Sequence, residues 1–189
     1  MYYGIYKEIR DSAWKCLLDF QIDSLPVDIL KIARAADIRV IRDSIVNDLS
    51  PTENGKSYFD GQNWTIIYND LNSIEISRYT IAHELGHIFL GHELKYAKYI
   101  GTAEIKSKPK SEQQADLFAT RVLCPACILW RLNLHTPEEI TRYCKVEYDI
   151  AVKRAKRMEA LYRRNKFLTN SLENDIYDRF QPYLQKVKN

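Results

Sequence analysis

The chain has 189 residues, 46% of them hydrophobic, which suits one domain with an ordinary core, or one domain with an appendage. Its formal net charge of +3 is too small to indicate a nucleic-acid-binding protein by itself. No apolar run approaches the ~18 residues that a membrane-spanning helix needs, and the N-terminus has no signal-peptide core, so we expect a cytoplasmic protein.

The first forty residues predict two helices and a strand. Apolar positions at near-helical spacing over residues 4–20 indicate the first helix. Pro26 lies in the first turn of a predicted second helix, where its missing N–H is tolerated, and this helix is expected to end near Ala36. Residues 38–41, Ile-Arg-Val-Ile, begin with an apolar, basic, apolar alternation, which predicts a strand.

Two aromatic-rich runs, residues 57–59 and 64–69, are separated by a segment that contains Asp-Gly, a hairpin signal. We therefore expect a small, mostly antiparallel sheet packed against the helix that follows. An exposed strand edge can hold an extended peptide by main-chain pairing. The candidate substrate-binding residues on such an edge are Trp64, Ile66 and Tyr68. An ordinary core strand is the alternative interpretation.

The sequence His-Glu-Leu-Gly-His at residues 83–87 carries the most chemical information. On a helix, His83 and His87 lie one turn apart and about 40° apart around the axis, so both imidazoles can reach one metal ion. Glu84 projects from a neighbouring line of the helix, where it can take a proton from a water molecule at the metal. Gly86 costs about 1 kcal/mol relative to Ala and indicates close approach of another backbone. The alternative, a core helix with two structural histidines, would bury costly polar groups without a partner.

A second helix is predicted to supply the third ligand, because catalytic zinc keeps three protein ligands and one open position. Ser111 is its expected N-cap, and Gln114 the reciprocal partner in a capping box. Glu112 and Asp116 share one face of this helix. Glu112 could ligate the metal, and Asp116 could accept the spare N–H of a ligating histidine. An acidic first turn that only favours the helix dipole is the alternative.

The segment between these two helices, residues 93–110, is rich in lysine. We expect a surface loop at the rim of the cleft. Such a loop could recruit an acidic partner, although a solvated loop is the simpler interpretation.

Four cysteines fit reduced, mostly buried thiols. Cys124 and Cys127 form a lone CxxC at a predicted helix junction created by Pro125. Without a second CxxC or a strand-then-helix context, we interpret both as small hydrophobic side chains rather than a redox or metal pair.

The last third of the chain is helical and polar. Thr136 and Pro137 begin one predicted helix, as N-cap and first residue. Residues 149–166 predict another, with an apolar stripe and a strongly basic remainder. This pair resembles a helix-turn-helix whose basic face could contact DNA phosphates, while a solvated basic face on a packed helix is the alternative. A further helix is predicted from Thr169 onward.

Residues 78–87, Arg-Tyr-Thr-Ile-Ala-His-Glu-Leu-Gly-His, and residues 112–119, Glu-Gln-Gln-Ala-Asp-Leu-Phe-Ala, resemble the motifs of the ImmA/IrrE metallopeptidases. The second motif is also similar to that of the thermolysin-like gluzincins. The resemblance implies that His83, His87 and Glu112 bind zinc, that Glu84 is the catalytic base and that Asp116 orients His83. Gln114 departs from the pattern, since many relatives have a second acid there, which leaves Glu112 as the matching ligand unless Asp116 binds instead.

The predicted fold is α+β, in which the small sheet packs on the His83–His87 helix as a minimal zincin-like core over residues 1–132. A helical, helix-turn-helix-like part follows over residues 133–189 and packs on that core.

The predicted function is a zinc-dependent intracellular endopeptidase, and the resemblance implies that it cleaves a phage-type helix-turn-helix repressor to derepress mobile-element or stress genes. The alternative is a DNA- or protein-binding regulator with a non-catalytic metal site. The oxyanion donor stays open among several Tyr and His side chains, including His92.

Overall fold

The structure is a computed structural model, and it describes residues 3–92 and 110–188. The predicted lysine-rich loop lies outside the described residues, apart from Lys110. Thirteen elements are described, in this order: α1 (Tyr3–Asp19), α2 (Ile29–Ala35), β1 (Arg39–Arg42), α3 (Asp43–Val46), β2 (Gly55–Phe59), β3 (Trp64–Tyr68), α4 (Ile74–Phe89), α5 (Lys110–Leu123), α6 (Ala126–Arg131), α7 (Pro137–Cys144), α8 (Tyr148–Arg163), α9 (Ser171–Arg179) and α10 (Gln181–Lys188).

Side-chain caps set the starts of several helices. The Ser73 hydroxyl accepts the Ile76 N–H at the start of α4, and Thr136 with Glu139 forms a complete capping box at α7. Two predicted starts are wrong. Helix α2 begins after its N-cap Asp28, so Pro26 precedes it, and α5 already includes Lys110, so Ser111 lies inside the helix instead of capping it.

The three strands form one sheet in the order β1-β3-β2. Strand β2 pairs antiparallel with β3 (Gly55 opposite Tyr68), whereas β1 pairs parallel with β3 (Arg39 opposite Thr65), so the sheet is mixed. The α+β fold with a small sheet packed on α4 is confirmed. Strand β3 is central, however, because β1 and β2 use both of its edges, and the interpretation of Trp64, Ile66 and Tyr68 as an exposed peptide-binding edge is wrong.

Helices α4 and α5 pack with their backbones almost in contact at Gly86. A Cβ placed on Gly86 would lie 3.1 Å from the Ala115 Cα and 3.2 Å from the Ala115 carbonyl oxygen. The obstructing atoms belong to a helix backbone, which cannot move aside as a flexible side chain can. The predicted close approach is therefore present, and it brings the two motif helices together.

Replacing Gly86 with Ala should destabilise the metal-free protein by about 1–2 kcal/mol, because overpacking against a helix backbone, at about 2–3 kcal/mol, outweighs the ~1 kcal/mol gained in helix propensity. Urea unfolding followed by circular dichroism measures this difference. The pair K153A and K153G, at an exposed position inside α8, measures the propensity contribution separately. A G86A protein as stable as the wild type would contradict the close-contact interpretation.

The C-terminal helices share one hydrophobic core with the rest of the described chain. Met158 of α8, Ile176 of α9 and Leu184 of α10 belong to the same buried cluster as Leu85 and Phe118. The domain boundary at residue 132 stays a prediction. No helix among the described residues combines the length and apolar character needed to cross a membrane.

Two cations of the basic helix α8 are part of the packing. The Arg154 side chain is 1% exposed and donates to the Cys124 carbonyl oxygen, and the Arg157 guanidinium lies over the Tyr6 ring at 5.1 Å. The basic residues of α8 that stay exposed are Lys153, Lys156 and Arg163, so the face that could meet DNA is smaller than the sequence indicates. DNA binding stays a prediction.

All four cysteines are free and buried, as predicted. Pro125 separates α5 from α6, so Cys124 and Cys127 lie at the predicted helix junction. Burial holds the pKa of Cys127 well above its ordinary value and keeps this side chain a neutral thiol. This favours the small-hydrophobe interpretation of Cys127.

Candidate metal centre and active site

Three side chains from α4 and α5 converge on one point. The ligand atoms of His83, His87 and Glu112 all lie within 4.8 Å of one another. Glu112 Oε2 is 3.2 Å from His83 Nε2, Glu112 Oε1 is 3.2 Å from His87 Nε2, and the two Nε2 atoms are 3.0 Å apart. The one-turn spacing of the histidines and the backbone contact at Gly86 produce this arrangement.

The donor set fits zinc in both chemistry and dimensions. Two imidazole nitrogens and one carboxylate are the ligands of a common class of catalytic zinc site. Donors about 2.0–2.2 Å from a tetrahedral ion lie about 3.3–3.5 Å from one another, close to the separations found here. With three protein ligands, a tetrahedral ion keeps one position for solvent or substrate.

Asp116 contacts His83 on the side of the ring away from this cluster. Its Oδ1 lies 3.0 Å from His83 Nδ1 and accepts a hydrogen bond from the Tyr79 hydroxyl at 3.1 Å. Burial alone would lower the pKa of His83, but hydrogen bonds to Asp116 and Glu112 outweigh burial and raise the pKa to about 9. The same histidines hold the pKa of Glu112 well below its ordinary value. Asp116 is placed to orient His83, and Glu112 to ligate.

Glu84 shares the cleft with His83 and Glu112 and also contacts the sheet. It is 8% exposed, and its Oε2 accepts a hydrogen bond of 2.5 Å from the Ser57 hydroxyl of β2. This contact fixes one oxygen of the carboxylate, and no residue in the described part of the chain forms a hydrogen bond to the other. Ser57 was not identified from the sequence, because its burial and its contact with Glu84, 27 residues away, are known only from the structure.

Replacing Ser57 with Ala should lower turnover about tenfold and leave zinc affinity unchanged, because one hydrogen bond to a charged group is lost outside the ligand set. Steady-state cleavage and a zinc titration measure the two quantities. Equal turnover in S57A and the wild type would show that the Ser57 hydroxyl does not assist Glu84 in the reaction.

A cavity of about 240 Å³ lies beside the cluster. It is lined by His83, Glu84, Glu112 and Asp116, together with Tyr79, Thr80, Asn54 and Gly55. Asn54 and Gly55 lie at the start of β2, so β2 and not β3 borders the cleft. Trp64, Ile66 and Tyr68 do not line this cavity, and Ile66 is fully buried in the core.

His92 lies behind His87. Its Nδ1 is 3.1 Å from His87 Nδ1, and its Nε2 is 2.8 Å from Gln114 Oε1. Because His87 turns its Nε2 to Glu112, His92 contacts the opposite edge of the His87 ring. His92 is therefore poorly placed as an oxyanion donor.

The chain matches the model of a known protein family. The family model described as Peptidase_M78, IrrE N-terminal-like domain, matches residues 33–156, which is more than half of the chain. The matched segment contains His83, Glu84, His87, Glu112 and Asp116. No curated protein matches the chain.

Proposed function

Since this chain belongs to the Peptidase_M78 family with its IrrE N-terminal-like domain, and therefore has a peptidase fold, we propose that it is a zinc-dependent endopeptidase. The observation that carries the proposal is the convergence of His83, His87 and Glu112, with Glu84 held beside them in the same cleft. A family match alone supports a peptidase, whereas the donor set supports zinc as its metal.

The proposed chemistry divides between the metal and the side chains. His83, His87 and Glu112 would hold the zinc ion, which would supply a water of lowered pKa, toward about 7, and a Lewis acid for the carbonyl group. Glu84 accepts the proton of the attacking water and returns it to the leaving amine. Ser57 holds the Glu84 carboxylate in position, and Asp116 fixes the His83 ring. The peptide bond is thereby cleaved by water without a covalent enzyme intermediate.

The substrate is proposed to bind along β2. Among the described residues, no strand pairs with the edge of β2 that faces away from β3, and Gly55 at its start borders the cavity. An extended peptide can add to such an edge through main-chain hydrogen bonds. Peptides N-methylated at single backbone positions would lose cleavage at alternate positions if this pairing occurs, and uniform tolerance of N-methylation would refute it.

The proposed substrate is a phage-type helix-turn-helix repressor, whose cleavage would derepress mobile-element or stress genes. The support is the similarity of residues 78–87 and 112–119 to the ImmA/IrrE metallopeptidases. Direct contact with DNA is a separate proposal, supported by the exposed lysines of α8.

The deciding experiment combines metal analysis with cleavage assays on the full chain. The purified protein should contain one zinc ion per chain and cut a cognate repressor encoded nearby. A chelator should stop the reaction, and added zinc should restore it. Free degradation of casein together with intact repressors would reject the repressor as substrate, and chelator-resistant cleavage would reject the zinc mechanism.

A further inference from the structure

We propose that His92 and Gln114 position the metal ligand His87, forming a counterpart to the contact between Asp116 and His83. This inference rests on the proposed metal site. It assigns a role to two residues that lie outside the ligand set. His92 and Gln114 would act through His87 and would not touch the substrate.

The end of α4 places His92. Gly91 adopts a left-handed φ of +66°, and the chain turns back so that the His92 N–H donates to the His87 carbonyl oxygen at 3.0 Å. The Gly91 N–H donates to the Ile88 carbonyl oxygen at 3.1 Å, which completes a Schellman motif. The same turn that ends the helix therefore brings the His92 ring against the ring of His87, with the ring centroids 5.0 Å apart.

The hydrogen-bonding partners define one consistent placement of protons. The Gln114 Oε1 atom only accepts, so the His92 Nε2 atom that faces it at 2.8 Å carries the hydrogen. His92 Nδ1 is then unprotonated and accepts from His87 Nδ1 at 3.1 Å. With its hydrogen on Nδ1, His87 presents the lone pair of Nε2 to the ligand cluster, as a metal requires.

Each ligating histidine then has its own orienting partner on α5. Asp116 serves His83 directly, and Gln114 serves His87 through His92. His87 is 6% exposed, so a His87 Nδ1–H without an acceptor would be a costly unsatisfied group. The role requires an acceptor oxygen at position 114, which Gln114 supplies here and which an acid would supply as well.

Three variants test the proposal by zinc affinity, measured in competition with a chromophoric chelator. H92F removes the acceptor for His87 and should weaken zinc binding about 10–100-fold, the usual range for loss of an orienting partner. H92N keeps an acceptor oxygen near the position of Nδ1 and should bind within about threefold of the wild type. H135F, at an exposed histidine outside the site, should bind zinc as the wild type does.

A spectroscopic measurement reads the proton placement directly. Long-range ¹H–¹⁵N correlation spectra of the zinc-loaded wild type should show His87 as the Nδ1–H tautomer and His92 as the Nε2–H tautomer. Wild-type affinity in H92F, equal losses in H92F and H92N, or the opposite tautomers would overturn the proposal. If H92F does not fold, Q114M replaces it, because this variant removes the acceptor for the His92 Nε2–H. A zinc affinity of Q114M equal to that of the wild type would overturn the proposal.

The tests of His92 do not require that the protein cleave peptides. A wild-type chain that binds zinc but cleaves no peptide would refute the peptidase mechanism. The affinity differences and tautomers would still decide the role of His92.

Discussion

Replacing Glu84 with Gln should leave zinc binding intact and lower peptide cleavage by about 10²–10⁴-fold, the range attributed to a general base. Gln has nearly the same shape and can still accept from the Ser57 hydroxyl, but it cannot take the proton of the attacking water. Zinc content by mass spectrometry and single-turnover cleavage of a peptide substrate measure the two effects.

The matched control is E75Q, an equivalent change in the first turn of the same helix. It should retain both zinc and activity. Wild-type turnover in a zinc-loaded E84Q protein would eliminate Glu84 as the base, and loss of zinc in E84Q would show that this carboxylate is a ligand.

Replacing Glu112 with Ala should weaken zinc binding by more than about 100-fold, because loss of a direct ligand exceeds the 10–100-fold cost of losing an orienting group. D116A should fall within that smaller range, since its carboxylate faces His83 Nδ1 and not the ligand cluster. The order of the two losses therefore decides which acid of α5 is the ligand. Competition titrations of both variants against one chelator give that order.

D175A, at an exposed acid of α9, is the control for the loss of one negative charge. It should bind zinc as the wild type does. A larger loss in D116A than in E112A would exchange the proposed roles of the two acids and overturn the ligand assignment.

Local periodicity made much of the site predictable. The spacing of His83 and His87 needs only helix geometry, and Glu112 and Asp116 lie one turn apart on a single face for the same reason. Gly86 indicated a backbone contact through its cost inside a helix, and the structure has that contact with Ala115. Each of these signals lies in residues close in sequence, although the sequence did not identify Ala115 as the partner of Gly86.

The remaining features depend on contacts between distant segments. The order of strands in a sheet is not determined by alternation within a strand, so β3 was placed at the edge although it is central. Ser57 lies 27 residues from its partner Glu84. Arg154 looked like part of a solvated basic face because its contact with Cys124, 30 residues away, leaves no periodic signal.

The backbone contact at Gly86 has a consequence for how the ligand cluster can come apart. With α4 and α5 this close and buried side chains on either side, the two helices cannot separate locally without exposing the core. Amide hydrogens near His83 and His87 should therefore exchange with deuterium mainly when the whole protein unfolds, instead of through small local openings. Zinc release by helix separation would accordingly be as slow as unfolding itself, so a metal ion held there would be lost mainly through its open coordination position.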